Sequence, residues 1–415
     1  MVEGRPTARE SARVAGGARG SVLRAGATAA LLVLVTACGG GGGTDAADDG
    51  KGGDGGRAVA EASRAVVTVL PGDGAKSVAT SGALKVTAAG GRLTAVTVRD
   101  DKGRQVEGRI AADGTAWEPL HHLAGSTRYR VHAVARDKDG RESARDSVFT
   151  TLVPKNTFIG HYTPEDRTTV GVGMPVSLRF TRGITDPAAV ERAIRVTAEP
   201  SVPIESHWFG NDRLDFRPEK YWAPGTEVTL TLNLDGVQGR PGVYGKQAKS
   251  VSFTVGRSQI STVDAKSKRM RVVRDGKEIK NIPITAGAPA TTTYNGQMVI
   301  SEKHKVTRMN GATVGFGGEY DIKDVPHAMR LSDSGTFIHG NYWASSGTFG
   351  SSNVSHGCVG LRDVRGGYDK KSPAAWFYDR SLLGDVVIVK NSKDKRIAPG
   401  NGLNGWNMSW EEWKK

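Results

Sequence analysis

The sequence predicts a mainly β chain made of consecutive β-rich units, and three observations carry that prediction. From about residue 67 onward, short runs with period-two hydrophobicity recur between turns bearing Gly and Asp. Ahead of the C-terminal tail, only Ala374 to Leu383 has the pattern of a helix, with Trp376, Phe377 and Leu383 available to cover a sheet. An Asp275-Gly276 pair between apolar runs is the strongest local hairpin signal, because both turn residues tolerate positive φ.

The first 37 residues have the pattern of an export leader. Arg5, Arg9, Arg13, Arg19 and Arg24 precede an uncharged run from Ala25 to Ala37 centred on Leu31 to Val35, too short for a comfortable membrane span. The run ends Val35-Thr36-Ala37-Cys38, which resembles the bacterial lipobox, so the expected mature N-terminus is a lipidated Cys38 on the outer side of the membrane. An ordinary secretory signal is the alternative. Residues 38–63 follow as a Gly- and Asp-rich tether with nothing worth burying and much backbone entropy to lose on ordering.

Two sandwiches come next, over residues 64–153 and 154–256. In the first, Leu84 to Thr87, Leu93 to Val98 and Tyr129 to Val134 read as strands; in the second, Val176 to Phe180 and Val228 to Leu232 do. Trp117 and Pro119 precede Gly125-Ser126-Thr127 and a strand, and Phe216 and Pro218 precede Pro224-Gly225-Thr226 and a strand. That echo, an aromatic plug followed by a tight turn, predicts two immunoglobulin-like β-sandwich domains rather than one irregular all-β region. The pair His121-His122 is expected at the surface.

Residues 257–392 form the third unit, with strands expected at Met270 to Arg274, Lys277 to Ile279, Ile282 to Thr285, Gln297 to Ser301, Thr336 to His339 and Asp385 to Lys390. The tail, residues 393–415, carries Trp406, Trp410 and Trp413, spaced four and three apart, with Ser409 and Glu412 in capping-box register. Such a tail is expected to dock the third unit against the sandwich before it.

The formal charge of +14 is spread along the chain, which with export suggests attraction to an anionic cell envelope. No basic recognition helix or interleaved aromatic and basic motif accompanies it, which argues against nucleic acid as a partner. After the leader, no segment is apolar enough to span a membrane.

Chemistry concentrates at Cys358, in Ser355-His356-Gly357-Cys358, with His339 nineteen positions upstream in Phe337-Ile338-His339-Gly340. The only other cysteine is Cys38, so Cys358 has no evident disulfide partner. A thiol needs a neighbouring base to ionise near neutral pH, and two histidines compete for that work. His356 would point to the same side of an extended segment as Cys358 but lie about 7 Å away along the backbone, which favours an auxiliary role. His339 ends a strand, and the loop of small residues after it can fold back, so His339 is the expected general base in a thiolate–imidazolium pair. Asp333 is a poor orienter for it, and a backbone carbonyl can fix the tautomer instead. The N–H groups of Gly357 and Cys358 are the candidate oxyanion hole. Two other readings stay open: an inert buried thiol, or a metal site of His339, His356 and Cys358 with His304 or His327.

Ile338-His339-Gly340 followed by Ser355-His356-Gly357-Cys358-Val359-Gly360-Leu361-Arg362 resembles the signature of the L,D-transpeptidase catalytic domain, the YkuD-type fold. Leader, two immunoglobulin-like domains, catalytic domain and tryptophan-bearing tail together are similar to the actinobacterial enzymes. The resemblance implies Cys358 as acylated nucleophile, His339 as base, the Gly340 carbonyl as its orienter, and His356 shaping the donor pocket. It implies peptidoglycan stem tetrapeptides as donors, amines of neighbouring stems as acceptors, 3→3 cross-links as products, carbapenem β-lactams as covalent inhibitors, and no cofactor or metal. A flap within Met309 to Asp324, containing Gly315, Gly317 and Gly318, would cover the site, with Tyr320, Trp343, Ser355 and Gly360 bordering the substrate. Many members have Ser or Ala at the position of Gly340, and many have Asn at that of Gly360. Two alternatives share these residues: an L,D-carboxypeptidase with water as acceptor, and a catalytically inactive wall-binding lipoprotein.

Overall fold

A computed structural model describes residues 61–314 and 317–415. The leader, Cys38, most of the tether and Gly315 lie outside the described residues. The described chain is mainly β.

The first sandwich packs a four-stranded sheet (Val66–Leu70, Lys85–Ala89, Gly108–Ile110, Ala116–Pro119) on a three-stranded one (Arg92–Asp100, Arg128–Arg136, Glu142–Thr150). Along Arg128–Arg136, Tyr129, Val131, Ala133 and Ala135 are buried while Arg128, Arg130 and His132 are exposed, the alternation of a half-buried strand. Trp117 plugs this core and Phe216 that of the next sandwich. His122 differs from expectation: it is half-buried, and burial lowers its pKa.

The second sandwich has two four-stranded sheets and a three-stranded one formed by Asn156–Phe158, Gln238–Arg240 and Val243–Gly245. It also contains a short helix, Pro187–Arg192, that the hydrophobic pattern does not announce; Asp186 caps it by accepting from Ala189 N–H, and Pro187 opens it. Two strand pairings here are parallel, Thr169–Val170 with Thr254 and Val255, and Val243–Gly245 with Asn156–Phe158, so the module is not purely antiparallel.

Nine strands make the sheet of the third unit, in the order Gly296–Val299, Val386–Lys390, Gln259–Asp264, Arg269–Arg274, Lys277–Thr285, Val359–Arg362, Phe337–Asn341, Asp321–Arg330, Glu302–Asn310. The hairpin turns at Asp275 (φ 47°) and Gly276 (φ 80°), as its sequence requires. The expected runs Lys277 to Ile279 and Ile282 to Thr285 are one strand. The helix Pro373–Arg380 lies on the sheet and buries Ala374, Ala375 and Phe377. It stops before Leu383 because Ser381 turns extended and Gly384 takes φ 90° to enter the next strand.

Val386 from this sheet belongs to the second sandwich's apolar core. Gly171 N–H donates to Leu383 O (2.7 Å) and Gly173 N–H to Gly384 O (2.9 Å); a Cβ on Gly171 would sit 2.3 Å from Asp385 N, so only glycine permits this approach. The tail completes the junction. Ser409 and Glu412 form the capping box of the last helical turn, and Trp413 is fully buried with its indole N–H on Glu205 O (2.9 Å). The three tryptophans surround buried Arg217, whose guanidinium lies 4.8, 5.4 and 4.3 Å from the rings of Trp406, Trp410 and Trp413. Burial pushes the Arg217 pKa down to about 10.

Candidate active site

Strands Phe337–Asn341 and Val359–Arg362 run parallel, with Ile338 opposite Val359 and His339 opposite Gly360. Cys358 immediately precedes the second strand and shares a buried cluster with Phe337 and Ala328. Phe337 and His339, two apart on one strand, present their side chains to the same face, so His339 lies on the face against which Cys358 packs. Parallel neighbours need a long crossover, and here it is the loop of small residues from Tyr342 to Ser355. Its far end is pinned to the strand Lys277–Thr285: Ser355 N–H donates to Ala286 O (3.0 Å), Ala286 N–H to Asn353 Oδ1 (3.0 Å) and Thr285 Oγ1 to Ser352 O (2.8 Å).

His339 is 4% exposed, with Nδ1 2.9 Å from Gly340 O. A carbonyl only accepts, so Nδ1 carries the proton and Nε2 is left as the basic nitrogen. Trp343 stacks on the imidazole (5.6 Å between centroids, 16° between planes), and 44% of it remains exposed. Burial lowers the His339 pKa, opposed by the Gly340 carbonyl and by Asp363.

Burial pushes the Cys358 thiol up to about 11, opposed by the Phe337 backbone and Arg330, and Sγ lies 3.6 Å from Gly335 O. Burial thus acts against both charges of the expected ion pair. Cys358 is a free cysteine.

Ser355 Oγ donates to Cys358 O (2.6 Å) and accepts from Gly357 N–H (3.3 Å), while Gly357 takes φ 106°, a turn that glycine makes without strain. His356 is 41% exposed at its side chain and pairs with Glu319 (3.2 Å); the Tyr320 ring lies 5.1 Å from its own. The Tyr320 pKa is pushed up to about 12 by burial, and then by the charges of Cys358 and Glu319. Asp333 pairs instead with Arg179 of the second sandwich (2.8 Å), His304 with Glu302 (2.8 Å) and His327 with Asp363 (2.7 Å). Among the described residues no three metal-ligating side chains cluster.

Gly360 is filled round rather than empty: a Cβ there would approach Thr285 Cγ2 to 2.8 Å and Asn341 Nδ2 to 3.3 Å. Asn341 is buried, and its Oδ1 accepts from Ala344 N–H (3.0 Å), the first turn of the crossover loop. Sequence reasoning missed Asn341, Glu319 and the His327–Asp363 pair. Asn341 could have been found as the one amide two residues beyond His339; the other partners come from distant segments and leave no local signal.

A bacterial Ig domain model matches residues 75–238, and the L,D-transpeptidase catalytic domain model matches residues 258–389. The chain is 35% identical over 345 residues to L,D-transpeptidase 2 of Mycobacterium tuberculosis (strain CDC 1551 / Oshkosh), covering 82% of each. It is 30% identical to L,D-transpeptidase 5 of Mycobacterium tuberculosis (strain ATCC 25618 / H37Rv), covering 84% of this chain and 76% of that one. A solved L,D-transpeptidase in complex with imipenem is 27% identical, covers 57% of this chain and 100% of its own, and superposes with a TM-score of 0.47. The chain belongs to the L,D-transpeptidase family.

Proposed function

We propose that the chain forms 3→3 cross-links between peptidoglycan stem peptides through a Cys358 acyl-enzyme. The observation that supports this reading is Cys358 packed with Phe337 on the face of the strand that also carries His339, whose Nδ1 is held by Gly340 O. His339 Nε2 takes the thiol proton as Sγ attacks the carbonyl between the third residue's L-centre and the terminal D-alanine. The proton passes to the departing amine, D-alanine leaves, and a thioester remains. The side-chain amine of a neighbouring stem attacks that thioester, His339 takes its proton, and the thiol is restored.

Gly357 and Cys358 N–H groups would receive the oxyanion once the Ser355 contact yields. Tyr320, Trp343, Ser355 and Gly360 would border the substrate, and the flap of residues 309–324 would exclude water so that an amine outcompetes hydrolysis. Carbapenems, as strained acyl donors, would acylate the same sulfur. A lipidated Cys38 would anchor the chain on the outer face of the membrane, the tether and both sandwiches spacing the catalytic unit into an anionic wall.

Incubation with defined tetrapeptide tests the reading by product mass. D-alanine release with a dimer lacking one D-alanine is expected, and Cys358→Ala should abolish both. Tripeptide without dimer would make it an L,D-carboxypeptidase, and full activity of Cys358→Ala would reject the site.

A further inference from the structure

The face of the sheet opposite Cys358 carries a buried hydrogen-bond network that the proposed chemistry does not use. Asp363, whose side chain is fully buried, has Oδ2 2.7 Å from His327 Nδ1, while Oδ1 accepts from Ser372 Oγ and Val364 N–H, both at 2.8 Å. Three donors converge on one carboxylate, the environment of an ionised acceptor. Ser372 is also the N-cap of the helix Pro373–Arg380, accepting from Ala375 N–H (3.1 Å), so the carboxylate sits at a helix N-terminus.

The network touches the peptide that holds the base. A Cβ on Gly340 would lie 2.1 Å from Asp363 Oδ2 and 2.8 Å from Pro326 Cγ, so the carboxylate occupies the space a side chain would need. Gly340 is therefore the residue that admits Asp363. On the other flank, the strand that pairs Met329 with Ile338 also carries His327, whose ring reaches Asp363. His327 holds φ 48°, a left-handed conformation that costs a non-glycine residue about 1 kcal/mol or more. Burying a carboxylate and a left-handed histidine behind one peptide is expensive unless the peptide's placement matters.

We propose that Asp363, held by His327 and Ser372, is a positioning residue for His339: it fixes the Gly340 peptide whose carbonyl accepts Nδ1–H and places negative charge behind the imidazole. This rests on His339 being the base. When the ring takes the thiol proton it becomes a buried cation, and a carboxylate one peptide away stabilises it. Asp363 also acts on the resting ring in that direction, opposing the lowering by burial. The other titratable or charged groups around the dyad are Cys358 on the neighbouring strand, His327 and Tyr378 behind the sheet, and Arg330 and Tyr320 beside the thiol.

Asp363→Asn keeps the shape and removes the charge. In the full chain, D-alanine release from tetrapeptide measured from about pH 5 to about pH 9 should show kcat down about tenfold, KM unchanged, and the acid limb of kcat/KM moved about one unit lower. A weaker base that stays deprotonated to lower pH produces both changes; a loss of fold alone moves neither limb. Should this variant not fold, Gly340→Ala, whose Cβ displaces the carboxylate, is expected to move the profile in the same direction. A folded variant with the parent's kcat and acid limb overturns the proposal. An inactive parent, or an active Cys358→Ala, would instead overturn the assignment of the site itself.

Discussion

Trp413→Ala probes the junction between the second sandwich and the catalytic unit. Trp413 is the largest fully buried side chain among the described residues, its indole N–H donates to Glu205 O (2.9 Å), and its ring lies 4.3 Å from the Arg217 guanidinium. Truncating a buried tryptophan costs about 3–5 kcal/mol through lost transfer energy and the cavity left behind. Glu205 O would lose its donor and Arg217 one of three aromatic faces, and because these terms overlap we expect about 4 kcal/mol in all. For a unit of this size that corresponds to a fall of about 10 °C in Tm. Calorimetry should record the fall, limited proteolysis should open the tail, and at low temperature Cys358 should keep its alkylation rate because its strands lie outside the junction. An unchanged Tm with an unchanged proteolysis pattern would refute the role given to the tail.

Three further outcomes follow from the site. Burial raises the Cys358 thiol to about 11, so its alkylation by iodoacetamide should climb with pH toward that value, about one part in a thousand being thiolate at pH 8; a plateau at or below neutral pH would show a resting ion pair. Burial lowers His339, so the acid limb of kcat/KM should lie below the ordinary histidine value, and a limb above it would contradict the neutral, buried base. Gly360→Ala should cost about 1–3 kcal/mol, read by denaturant unfolding, because its Cβ would press on buried Thr285 at 2.8 Å; a neutral substitution would show that the two strands part freely.

Much of this was legible in the sequence. Period-two runs gave the strands of both sandwiches, Asp275-Gly276 gave the hairpin, and the spacing of His339 and Cys358 pointed to the two neighbouring parallel strands, one carrying His339 and the other starting just after Cys358. What stayed hidden was long-range pairing. The helix Pro187–Arg192 is one short turn-rich segment whose capping by Asp186 outweighs a weak hydrophobic pattern. The tryptophan spacing announced a docking surface but not the buried Arg217 at its centre, since a charged residue in a strand ordinarily faces solvent. Gly340 and Gly360 read as departures from the family pattern, whereas both make room for neighbours, Asp363 behind one and Thr285 and Asn341 beside the other. Burial around the pair was hidden for a related reason: composition shows a base near Cys358 but not the packing that raises the thiol and lowers His339.

Intact-protein mass spectrometry of the chain mixed with tetrapeptide donor, quenched in acid before acceptor is added, tests the central claim most directly. The account predicts a mass increase equal to the donor less D-alanine, located at Cys358 by peptide mapping and absent from Cys358→Ala. Release of D-alanine with no adduct at Cys358, or an adduct on another residue, would contradict it.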